Sequence, residues 1–162
     1  MKPLAELAGF CRTTPGAPDP KSFGDYHASE GWRADASALA VMASCRTLES
    51  QATVLDVLRA MYLPWLDQSA RHLQALLKVD GRAPERRQPE IAPQPGRVVV
   101  FADGLRMDVG QMLAERLRDM DGEASVEWEW STVPSVTATA KPAASPIARG
   151  LLEGRDSTDE FT

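Results

Sequence analysis

The chain has 162 residues, 43% of them hydrophobic and 25% charged, which is enough apolar material for one domain, or for one domain and a piece of another. The formal net charge is −5 and neither half carries a basic excess, which speaks against a dedicated nucleic-acid binder. Cys11 and Cys45 lie far apart without a CxxC pair, so neither a disulfide framework nor a zinc knuckle is indicated, and free thiols in a reducing cytoplasm are expected.

The opening MKPLAELAGF reads as a short helix with Leu4, Leu7 and Ala8 on one side, and it lacks the apolar run of a signal peptide. Residues 11–34 carry Pro15, Pro18 and Pro20 with Gly16, Gly24 and Gly31, a loop composition, with Phe23, Tyr26 and Trp32 as apolar pins. From Asp35 to Met61 the pattern turns helical: Leu48, Ala52, Leu55, Leu58 and Tyr62 follow three- and four-residue steps. Pro64 is expected to end or kink that helix, because it brings no N–H. Leu66, Ala70, Leu73, Leu76 and Leu77 make a second stripe, closed by Asp80-Gly81, so a helical hairpin or small bundle is expected. No segment approaches the roughly 20 apolar residues that span a bilayer. No membrane contact and a cytoplasmic location are therefore expected.

Residues 82–96, RAPERRQPEIAPQPG, carry four prolines and no apolar period, and read as a linker. The expected domains are therefore a mainly helical region over 1–81, this linker, and a second domain over 97–162. Arg97-Val-Val-Val-Phe101-Ala is a short β-branched run of the kind that forms a strand buried on both faces. Asp103-Gly104 follows, then a helix with Leu105, Val109, Met112, Leu113 and Leu117 on one face, ended by Asp121-Gly122. Ser125-Val-Glu-Trp-Glu-Trp130 alternates like a second strand. The sum is a strand–helix–strand unit, the seed of a parallel sheet, and the expected fold class is α/β behind an N-terminal helical region.

Two elements could carry chemistry. A carboxylate at the C-terminal end of a buried parallel strand, as expected of Asp103, sits where α/β proteins collect ligands and suits zinc, magnesium or manganese. Strand–Asp–Gly is also an ordinary way to leave a strand. Trp130-Ser-Thr-Val-Pro134-Ser-Val-Thr137-Ala-Thr139-Ala-Lys141-Pro142 is dense in hydroxyls, and a hydroxyl at a helix start is well placed for phosphate work. The same residues could simply cap a helix. His27 and His72 read as surface or packing residues. There is no GxGxxG and no GxxxxGK[ST], so a dinucleotide or P-loop site has no support.

Taken together, VVVFADGLRMDVGQMLAERL and WSTVPSVTATAKPAASPIA resemble the PglZ family of the alkaline phosphatase superfamily, in particular the type B members of BREX phage-defence systems. The resemblance covers Arg97–Gly150. It implies a metal-dependent phosphatase or phosphodiesterase-like hydrolase acting on a phosphorylated substrate. It implies Asp103 as a metal ligand and Thr137 as the nucleophile sharing that metal, zinc being the expected ion. Thr139 is the runner-up nucleophile, and Lys141 a possible phosphate contact. Other proteins of a defence complex are the implied partners, and direct nucleic-acid binding is not indicated. The superfamily draws further Asp and His ligands from later in the chain, and both histidines here precede Asp103. A truncated α/β domain, inactive alone, is therefore expected, with an inert interaction fragment of the defence complex as the alternative.

Overall fold

The structure, a computed structural model, describes residues 2–13, 16–80 and 94–130. It has five α-helices in the described residues: α1 (Lys2–Phe10), α2 (Pro20–Tyr26), α3 (Trp32–Ala43), α4 (Leu48–Asp80) and α5 (Met107–Arg118). A π-helical turn, His27–Gly31, joins α2 to α3 without a break. The chain divides into two compact units, Met1–Arg82 with Arg106–Glu127, and Ala83–Leu105 with Trp128–Thr162. All five helices belong to the first.

The expected α/β class is overturned: no strand is present among the described residues, and the fold there is helical. Arg97–Ala102 forms no strand and no ladder, with Val98 and Val100 exposed. Ser125–Trp130 is likewise without a ladder. The reason is elementary. β-branched residues prefer an extended backbone locally, but a strand exists only where a neighbouring strand takes its N–H and C=O groups. The expected linker at 82–96 lies outside the described residues apart from its last three, where Gly96 turns the chain at φ +79°.

The core lies where α1, α3 and α4 meet. Leu7, Ala34, Ala38 and Trp65 are buried together, and Phe10, Cys11, Leu58, Tyr62 and Leu66 pack around them. The buried face of α3 is built of small side chains, Ala34, Ser37, Ala38 and Val41, on three- and four-residue steps. Small residues let α1 approach closely, so that Leu7 reaches complete burial. The 11–34 segment, expected as loop, is helical from Pro20 onward. Pro20 occupies the first helical turn, where its missing N–H costs nothing. Asp19 caps the helix by accepting from the Ser22 N–H at 2.8 Å. A proline that read as loop punctuation thus opens a helix, with Asp19 as its cap.

The helix expected across Asp35–Met61 is split instead at residues 44–47. Thr47 and Ser50 begin α4 reciprocally: the Ser50 N–H donates to Thr47 Oγ1 and the Thr47 N–H donates to Ser50 Oγ, each at 3.1 Å. α4 then continues through Pro64 as one helix, which overturns the expected end or hairpin there. Pro64 and Ala60, whose carbonyl the missing N–H would have served, both lie on the exposed side of the helix, where water can take that carbonyl. The inner side is continuous. The Trp65 indole N–H donates to the Thr13 carbonyl at 3.1 Å, and His72 Nε2 bonds the Ala17 carbonyl at 2.8 Å. These two contacts tie Thr13 and Ala17 to α4, and His72 is a packing residue, its ring against Phe23. Among the described residues no helix is long and apolar enough to cross a membrane.

α5 ends as Asp121-Gly122 led us to expect. Asp121 takes the left-handed conformation at φ 60°, its N–H donates to Arg118 O, and the Gly122 N–H donates to Leu117 O at 3.0 Å. A Cβ on Gly122 would come within 2.9 Å of that same carbonyl oxygen, so glycine is required there.

Candidate functional site

Asp103 is exposed and sits in a turn, not at the end of a buried strand. Gly104 completes that turn at φ +69°, a conformation glycine adopts without strain. Thr137, Thr139 and Lys141 lie outside the described residues. Among the described residues no group of three or more His, Cys, Asp or Glu side chains is gathered as a metal ion needs. Asp103 alone is one carboxylate, and one carboxylate does not close a tetrahedral zinc site.

A different constellation is assembled, one that the sequence reading did not single out. It lies where the π-helical turn, α3, α4 and the start of α5 converge. Asp35, in the first turn of α3, accepts a short hydrogen bond from the Tyr62 hydroxyl of α4. His27 Nε2, on the π-helical turn, faces the other oxygen of the same carboxylate at 4.0 Å. Arg106 clamps Asp108 with two parallel bonds, Nε to Oδ1 and Nη2 to Oδ2, each 3.0 Å. Asp108 is only 1% exposed, whereas half of the Arg106 side chain reaches solvent. The wide turn leaves the Ala28 carbonyl facing α5, and Gln111 Nε2 donates to it at 2.9 Å. Gly31 makes the turn possible: a Cβ there would meet His27 Nδ1 at 3.0 Å and Tyr26 Cε1 at 3.2 Å.

The electrostatics make Tyr62 a hydrogen-bond donor and not a base. Burial raises its pKa first, and the hydrogen bond to Asp35 and that residue's charge add to the shift. Arg106 is held charged more firmly than usual, chiefly by its hydrogen bonds to Asp108. The group is a polar lock that seats the first turn of α5 on the bundle, with a buried carboxylate satisfied by its guanidinium neighbour.

The lock has a consequence for the rest of α5. At about 100° per residue, the side that carries Asp108 also carries Met107, Gln111 and Ala114. That side faces inward: Asp108 and Ala114 are buried, and Met107 and Gln111 half-buried. The opposite side carries Val109, Met112 and Leu113, with Leu117 beside them, and all four are exposed, Leu113 at 53%. The expected common face of Leu105, Val109, Met112, Leu113 and Leu117 is thus exposed, and the helix docks by its polar and small residues.

Neither a family model, nor a curated protein, nor a solved structure matches this chain, so the functional reading rests on its own residues.

Proposed function

We propose that the chain acts by binding, as an interaction piece of a BREX-type phage-defence complex, and that its contact surface is the outward ridge of α5. The observation that carries this reading is the inversion of the helix. A helix in water ordinarily buries its apolar stripe, whereas α5 buries Asp108 and displays Val109, Met112, Leu113 and Leu117. A protein surface that covers the ridge removes that apolar area from water at about 25 cal/mol per Å². As part of an intracellular defence complex, the chain would work in the cytoplasm. The test is direct. The isolated chain is expected to bind an apolar-surface dye or to self-associate, and Val109→Lys with Leu113→Lys is expected to abolish both. Helicity and the unfolding midpoint should stay in place, since substitutions at exposed positions change stability by within about 0.5 kcal/mol. A wild-type chain that is monodisperse and silent to the dye overturns the reading.

A second reading keeps a hydrolase in view, favoured by the order of Asp103-Gly-Leu-Arg106, an amphipathic helix and Pro134-Ser-Val-Thr137 along the chain. In it, the chain is part of a phosphatase or phosphodiesterase-like hydrolase, with Asp103 as a zinc ligand, Thr137 as the nucleophile, and the remaining ligands from elsewhere. An exposed turn keeps Asp103 reachable from solvent. The isolated chain is expected to show no turnover of p-nitrophenyl phosphate with zinc present. Turnover that is lost in Thr137→Ala would decide for this reading over the first.

A further inference from the structure

We draw no further inference here: the strongest candidate, a pairing of the exposed α5 ridge of Val109, Met112, Leu113 and Leu117 with a second copy of the chain, belongs to the contact surface already described, and nothing in the structure shows what covers it.

Discussion

The α1–α3–α4 core and α5 solve opposite problems. In the core, every buried side chain but two serines is apolar, and Leu7, Ala34, Ala38 and Trp65 touch one another without any charged group between them. In α5 the deepest side chain is Asp108, held by Arg106, while Val109, Met112, Leu113 and Leu117 face solvent. The contrast shows that orientation in a small bundle is not decided by hydrophobicity alone. A bidentate ion pair at the first turn, one hydrogen bond from the Gln111 amide to the wide turn and the small side chain of Ala114 set the face that docks. The apolar ridge is then left for another surface.

If that contrast is right, damage to the two regions should differ in size. Leu7→Ala removes the most completely buried side chain of the core and should cost about 2–5 kcal/mol in chemical denaturation, because the surrounding helices refill the space only in part. A cost near zero would mean that α1 is not integral to the core. Asp108→Ala should cost less, about 1–3 kcal/mol. It takes away a satisfied buried carboxylate, but Arg106, half exposed, can turn to water. Its distinctive sign is local: amide exchange should quicken across Met107–Ala114 and not in α1. Quickening spread evenly over all helices would deny α5 its separate lock.

The smallest effect is alkaline. Tyr62 and Tyr26 both have raised phenol pKa values, each mainly from burial, with the Asp35 hydrogen bond adding to the first and the Glu30 charge to the second. A folded pKa above the unfolded one means that the stabilisation is complete below the unfolded value of about 10. It is lost as the pH rises toward the folded value. Phenolate absorbance should therefore lag behind that of free tyrosine until the chain unfolds. Tyr62→Phe should reduce the lag, and two phenols that titrate at about pH 10 in the folded chain would break the account of the Asp35–Tyr62 contact.

Some of this was legible in one dimension. The apolar steps on either side of Pro64 announce helix, but the expected break and hairpin at Pro64 are overturned by one continuous α4, whereas Asp121-Gly122 announces the end of α5. The helix start at Asp19-Pro20 was present too, but three prolines nearby made it look like loop. The lock was not legible. Tyr62 and Asp35 are 27 residues apart and Gln111 and Ala28 are 83 apart, and no local pattern pairs them. Arg106 and Asp108 are near neighbours whose bond is visible only once the backbone turns at the head of α5.

The sequence by itself determined where helices can run, because propensity, capping and apolar period act over a few neighbouring residues. Only the tertiary structure decided which face of each helix is inside, since that depends on which distant groups meet. It decided that α4 continues through Pro64, which lies with Ala60 on the exposed side of the helix, where water can take the Ala60 carbonyl. It also decided that Val98–Phe101 forms no sheet among the described residues, because β-branched residues supply the tendency to extend but not the neighbouring strand whose N–H and C=O groups complete the ladder.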